Sequence, residues 1–387
     1  MKRLLLLGGG HAHLQVLTAL ATHPLAGWEV HLVTPNRRLI YSGMLPGWVA
    51  GHYQIDACSI PLDRLAANAG VSFHETSGLG LDLARSELHR ADGRRLGFDA
   101  LSIDTGPLPD LQGLAIDSEQ ALPVRPLERF VAAWPALAER IQAQAQAHRF
   151  KLIILGAGAA GVELAFAIQH RAACAGWRHL DIGLIGAEPW PLGGAPEAAR
   201  RRIARLLEQR GIRWIGARQA NRVESQAVHF EQGEPQPCDA CLVCTGAAAP
   251  AWPAAAGLAT DARGFIRVER SLQSRSHPHI FAAGDVAAHA DPQPKSGVYA
   301  VRAGPVLADN LRAHCEGRPL RAWTPPARAL ALISTGDLHA VATWGRWSWQ
   351  GHWVWRWKDQ IDRRFVQRFQ APAASAMPAR ARDRSSD

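Results

Sequence analysis

The sequence predicts an α/β protein with two Rossmann-like dinucleotide-binding domains, one inserted in the other, and a small C-terminal α+β unit. Three observations carry this. An apolar strand runs into a glycine-rich turn and a helix twice, at GGGHAH from residue 8 and at GAGAAG from residue 156. Each opening is followed by a near-copy of one nonapeptide, FDALSIDTG at 98–106 and CDACLVCTG at 238–246, the mark of an internal duplication. At 387 residues the chain is also long enough for two or three units, each with its own core.

Taken in order, strand 3–7 leads through the first motif into a helical pattern at 11–22 and a second strand at 28–33, a βαβ opening. The start, Met1-Lys2-Arg3 and four leucines, is cut off by Gly8-Gly9-Gly10 far short of a secretory core, so it reads as a strand. PVRPLERFVAAWPALAERIQAQAQAH reads as a connector and a long helix, with the domain crossing near Pro123. Strand 150–155, a helix through GVELAFAIQHRA and strand 181–186 form the second opening. HIFAAGD at 279–285 and a helix from about 298 to 315 return the chain to the first domain. The expected units are 1–122 with 245–326, 123–244, and 327–370, the last made of the strand ALALISTG, a hairpin and a Trp/Arg-rich helix. Residues 371–387 read as a disordered tail.

Composition narrows the class. Apolar residues make up 47% and charged residues 20%, and no apolar run approaches the roughly 20 residues of a membrane-spanning helix. Six cysteines without a secreted framework make a reducing, cytoplasmic setting the expectation. A net charge of +9 allows anionic partners without selecting one.

In the second motif Gly156, Gly158 and Gly161 allow a tight turn, close approach of a pyrophosphate and helix–sheet packing, and the first helical N–H groups at Ala159 and Ala160 face the phosphates. Thr245 and Gly246 close that site, and Glu188, two residues past the next strand, stands where ribose hydroxyls are met; this leans to NADH over NADPH. The first motif keeps Gly8 and Gly10, with His11 and Ala12 opening the helix. It has His13 at the third glycine position and ends its second strand at Thr34, without the acidic residue that usually holds ribose. Thr105 and Gly106 correspond to Thr245 and Gly246, and Gly284-Asp285 places an aspartate where a ribityl chain can be bound.

GGG at residue 8, the two TG nonapeptides, GAGAAGVELA and HIFAAGD together resemble the flavoprotein pyridine nucleotide-disulfide oxidoreductase superfamily over residues 1 to about 370. YSGMLPGWVAGHY, PKSGVYAVRAGPVLADNL and LISTGDLHAVATWG are similar to a branch that includes type II NADH dehydrogenases and a domain often fused to selenide, water dikinase. The resemblance implies FAD in the outer domain, NAD(P)H in the inserted one, and a C-terminal unit that closes the flavin site. It implies a flavin ring between Gly43, Met44 and Pro46 on one side and Lys295, Ser296 and Gly297 on another, the helix start at 297 stabilising negative charge. Glu163 and Lys295 are the expected catalytic residues. No redox CxxxxC follows the first motif, which excludes dithiol chemistry of that type. Cys238, Cys241 and Cys244 fall on a strand whose side chains alternate between faces, so no metal is expected.

Six of the fourteen tryptophans lie between 344 and 357, and Trp353, Trp357, Ile361, Phe365 and Phe369 repeat every four residues among basic side chains. This reads as a basic amphipathic helix, 351–369, lying on a membrane surface, packing on the flavin domain or making a homodimer; nucleic acid is not expected. The expected localisation is cytoplasmic, peripheral on the inner face of the cell membrane where that helix docks. Three functions stay open: hydride transfer from NAD(P)H through FAD to a quinone, delivery of electrons to a selenium or sulfur species for selenophosphate synthesis, and a non-catalytic flavin-binding partner protein.

Overall fold

A computed structural model describes residues 1–291 and 293–370; the segment 371–387, expected as a tail, lies outside the described residues. Two five-stranded, all-parallel sheets carry the two domains. The first has the order Ile280–Ala282, Ala100–Ile103, Lys2–Leu7, Trp28–Thr34, Ser72–Glu75. The second repeats it with Ala121–Pro123, Ala240–Val243, Phe150–Leu155, Leu180–Ile185 and Arg213–Ile215. In both, the motif strand is central and the nonapeptide strand lies beside it, so each glycine turn faces the residues that end the nonapeptide. That crevice at the carboxyl ends of central parallel strands is where such sheets bind dinucleotides.

The strands are continuous apolar runs because both faces are covered: Leu4, Leu5, Leu6, Ile153 and Ile154 are fully buried. Burying each contributes on the order of 1.5–3 kcal/mol. Helices His11–Thr22 and Gly297–Cys315 pack together on the first sheet, and Ala159–Ala175 covers the second.

The domain crossing lies earlier than Pro123. Leu108–Pro109 pairs antiparallel with Ala247–Ala248 as the two crossing chains, and both Ala115–Ile116 and Ala121–Pro123 already hydrogen-bond in the inserted domain. These pairs are two or three residues long, too short to show an alternating pattern in sequence.

The C-terminal unit is a three-stranded antiparallel sheet, Ala331–Ser334, Ala340–Trp344 and Trp347–Gly351, followed by the helix His352–Gln370. It is fastened to both domains. Ile333 and Val341 join the core containing Val162 and Phe166, while Val366 and Phe369 join the core of the first domain. Tyr53 donates to Asp359 at 2.6 Å, and the Gln370 amide donates to the Ser59 carbonyl at 2.7 Å.

Candidate active site

The second glycine turn is open. Gly156 has φ +109°, and a Cβ there would lie 2.4 Å from the Cys244 carbonyl oxygen; one on Gly161 would lie 1.9 Å from the Gly156 oxygen, so both positions exclude other residues. Gly158 faces open space and caps a helix whose first residues, Ala159 and Ala160, are exposed, with no side chain bonded to its first turn. Thr245 presents a buried hydroxyl oxygen with no partner beside this turn. Free helix N–H groups, a cradle with room and an orphaned hydroxyl fit a dinucleotide diphosphate. Glu188 is exposed past the end of Leu180–Ile185, and Gly246 is exposed beyond Thr245.

The first turn is built differently. Gly8 has φ +94°, and its Cβ would meet the Asp104 carbonyl at 2.4 Å. His13, at the third glycine position, is fully buried. Its Nδ1 donates to the Gly8 carbonyl at 2.6 Å and its Nε2 accepts from the Ser102 hydroxyl at 2.8 Å, with burial lowering its pKa to about 4. A neutral imidazole thus ties the turn to the neighbouring strand where a third glycine would permit close packing. Thr34 is buried and its hydroxyl lies beside Gly9.

His11 carries a buried Nε2 with no partner, and the closest side-chain atoms to a Cβ built on Gly297 belong to its ring, at 3.9 Å. Burial and then Arg125 lower its pKa to about 4, so it too is neutral. Tyr41 meets it edge-on at 5.7 Å between centroids. Ser296 caps the helix Gly297–Cys315 without a side-chain bond, which leaves that helix start unblocked. Pro46, at the start of Leu45–Ala50, is buried. The orphaned imidazole nitrogen and the open helix terminus fit a flavin. Asp285 is mostly buried, and burial raises its pKa against the opposing pull of Arg125, whose Nη1 lies 3.8 Å from Asp285 Oδ2. Thr105 and Gly106 flank the turn, Gly106 at φ +73° with open space beside it.

The two expected catalytic residues are not neighbours. Lys295 donates to the Ala287 carbonyl at 2.6 Å, lies 3.8 Å from the centre of the Phe265 ring and lines a cavity of about 500 Å³ with Asp285. Burial lowers its pKa to about 8, with Asp285 and Asp261 pulling the other way. Glu163 instead lies within reach of the Lys358 charge, without a direct bond to it. It is buried, accepts the Ser334 amide at 2.8 Å, and has its pKa pushed up to about 7 by burial against the opposing charge of Lys358. Lys358 is itself buried and donates to the Gly43 carbonyl and to Asp362, each at 2.6 Å. Burial alone would lower its pKa, but Asp362 and Glu163 outweigh that and hold it charged. Tyr41 donates to the other Asp362 oxygen at 3.1 Å. A hydrogen-bonded chain therefore runs from Lys358 through Asp362 to Tyr41, whose ring lies against His11, with Glu163 close enough to feel the Lys358 charge but not bonded to it.

Lys358, Asp362 and Arg125 escaped the sequence reading. Lys358 and Asp362 are spaced i, i+4 in a basic helix, the pattern of a solvated ion pair. Only a basic and an acidic residue on the side away from the tryptophan stripe hinted that this side is the buried one.

Cys58 and Cys315 are each pushed up to about 12, chiefly by burial, so neither offers a thiolate near neutral pH. Cys238 and Cys241 are buried in the core behind the second sheet.

Two parallel-sheet domains of the same strand order, each with a glycine turn at the carboxyl end of its central strand, define a dinucleotide-dependent oxidoreductase. The family model described as pyridine nucleotide-disulphide oxidoreductase matches residues 2–304, and the chain belongs to that family. It binds FAD and NAD(P)H. The chain is 28% identical over 359 residues to demethylphylloquinone reductase NdbB of Synechocystis sp., covering 86% of this chain and 85% of that protein. It is 24% identical over 283 residues to ferroptosis suppressor protein 1 of Taeniopygia guttata, covering 69% and 70%. Its fold is similar to that of sulfide:quinone oxidoreductase from Aquifex aeolicus, with TM-score 0.80, 18% identity and 96% and 92% coverage. NDH2 from Plasmodium falciparum in complex with NADH gives TM-score 0.79, 11% identity and 96% and 99% coverage.

Proposed function

We propose that this oxidoreductase passes electrons from NAD(P)H through FAD to a quinone. Bound FAD supplies the hydride acceptor and the electron relay; the protein supplies binding, orientation and protons. Gly8, Gly10, His11, Ala12, Thr34, Pro46, Thr105, Gly106, Gly284, Asp285, Ser296 and Gly297 form the flavin cradle. Gly156, Gly158, Ala159, Ala160, Gly161, Glu188, Thr245 and Gly246 hold the nicotinamide dinucleotide.

The observation that carries the reading is the buried pair Glu163 and Lys358. Reduction of a quinone to a quinol consumes two protons, whereas hydride transfer needs alignment and exclusion of water more than acid–base groups. Glu163, held near pH 7, exchanges a proton readily, and Lys358 keeps a positive charge where negative charge develops on the acceptor. Lys295, turned to Phe265, acts on the flavin side through Asp285 and does not join this pair. The quinone-linked names among the relatives agree with this acceptor.

A lipophilic acceptor has to be collected from a membrane. Among the described residues no helix is long and apolar enough to cross one. The C-terminal unit exposes Trp344, Trp347, Trp349, Trp353, Trp357 and Ile361 together, with the exposed Arg346, Arg356 and Arg364 among them. Aromatic rings at headgroup depth and arginines on anionic lipid make this face a peripheral membrane contact.

Steady-state assays with NADH and NADPH against short-chain quinones and against sulfide test the reading. Nucleotide oxidation that depends on quinone supports it; turnover of sulfide and no turnover of nucleotide would overturn it.

A further inference from the structure

Asp104 holds the position in the first domain that Cys244 holds in the second, the residue before the Thr-Gly pair. The burial that pushes the Cys244 thiol up to about 12 keeps it neutral. Asp104 is an acid in the same place, and it is only 2% exposed. Its Oδ2 accepts the amides of Ala12 at 2.8 Å and His13 at 3.1 Å, the first-turn donors of the motif helix. A Cβ on Gly10 would lie 2.4 Å from Asp104 Oδ1, and one on Gly284 2.5 Å from it, so the carboxyl is wedged between the motif turn and the Gly284-Asp285 turn. The equivalent helix start in the second domain carries no side-chain cap and opens on free space at Gly158. A carboxylate and a dinucleotide diphosphate therefore compete for one helix terminus in the first domain and not in the second.

The groups around Asp104 give it no counter-charge. His13 on the motif helix is neutral and bonded on both ring nitrogens, and His11 is neutral. Asp285, from the turn after the inserted domain, adds negative charge, and Arg125 is turned to Asp285.

The geometry points to Asp104 as the proton acceptor of flavin loading: seating the FAD diphosphate at the first helix terminus draws one proton from solvent onto this carboxylate. Two anions at one buried terminus do not both stay ionised. Without flavin, burial already holds Asp104 at about 7, with its two amide bonds opposing and Asp285 adding to the rise. Bound diphosphate raises it further. Flavin affinity is then greatest at low pH and falls about tenfold per pH unit above 7 until the bound-state value is reached. The inference rests on the first domain being the flavin domain.

The test is a calorimetric titration of the flavin-stripped full-length chain with FAD, in pairs of buffers that differ in ionisation enthalpy. Proton uptake of about 0.9 per FAD at pH 8 and about 0.1 at pH 6 is expected for a group starting at about 7. Asp104→Asn keeps an acceptor for the two amides and should bind FAD with no uptake. Asp104→Cys, which copies the second domain, should do the same. Binding without uptake in the unaltered chain, or uptake that survives in Asp104→Asn and Asp104→Cys, would overturn the inference. Absence of any binding heat would instead sink the flavin-domain assignment beneath it.

Discussion

The carboxylate of Glu163 accepts the backbone amide of Ser334 at 2.8 Å, joining the helix Ala159–Ala175 of the inserted domain to the first strand of the C-terminal unit. That bond holds one oxygen away from solvent, within the field of the Lys358 charge. A buried acid is thus fixed by two units of the chain.

Glu163→Gln and Lys358→Met should slow acceptor reduction by about 100-fold, within the range of general acid–base catalysis, while reduction of the flavin by nucleotide changes less than about threefold. Half-reaction rates measured separately decide this. Acceptor reduction in the unaltered protein should fall as pH rises through about 7, the value of Glu163, and Glu163→Gln should lack that inflection.

Stability should show the same group. The Glu163 pKa is raised from 4.5 to about 7 in the folded chain, so the folded state holds its proton more tightly than the unfolded one. Stability is therefore full below about 4.5, falls as pH rises to about 7, and stays lowered above. Relative to the unaltered protein, Glu163→Gln should gain about 1–3 kcal/mol more at pH 8 than at pH 5, read from denaturant unfolding at the two pH values.

Asp285→Ala and Arg125→Ala should both deplete flavin, because Asp285 loses either its own contact or the cation 3.8 Å away that opposes the effect of its burial. The ratio of flavin to protein absorbance in purified samples is expected to fall by more than half for Asp285→Ala and by less for Arg125→Ala. Full occupancy in Asp285→Ala would remove that residue from the flavin site.

Two glycines three positions apart, Gly158 and Gly161, should fail in different ways. Gly158 borders open space, so Gly158→Val should fold, keep its flavin and raise the nucleotide KM at least tenfold. Gly161→Ala drives a methyl into the Gly156 carbonyl and should cost about 1–3 kcal/mol of stability. Thermal unfolding and nucleotide titration separate the two.

Trp353→Ala combined with Trp357→Ala should leave assays with short-chain quinone unchanged and lower co-sedimentation with anionic vesicles by about tenfold or more, since both rings are exposed and stack at 6.4 Å between centroids.

The sheets were legible because glycine turns and long apolar strands are local signals. The nonapeptide repeat carries the duplicated plan, and the expected helices near 11–22 and 298–315 follow from apolar period and agree with the observed His11–Thr22 and Gly297–Cys315. The last helix was legible only in part, because its sequence left open whether the tryptophan stripe meets membrane, the flavin domain or a second copy. The buried side is Val354, Lys358, Asp362, Val366 and Phe369, while Trp353, Trp357 and Ile361 face outward. A buried Lys–Asp pair is stable there only because Gly43 and Tyr41, more than 300 residues earlier, complete its hydrogen bonds. No local pattern encodes a partner at that distance. His13 looked like a defect in the motif for the same reason, since its partner Ser102 lies on the neighbouring strand.

The most direct test follows the flavin absorbance of the purified protein without oxygen in a stopped-flow instrument, first with NADH or NADPH and then with a short-chain quinone. Rapid bleaching by one nucleotide and full recovery with quinone are the predicted result. A flavin that no nucleotide bleaches, or that stays bleached in excess quinone, would contradict the account.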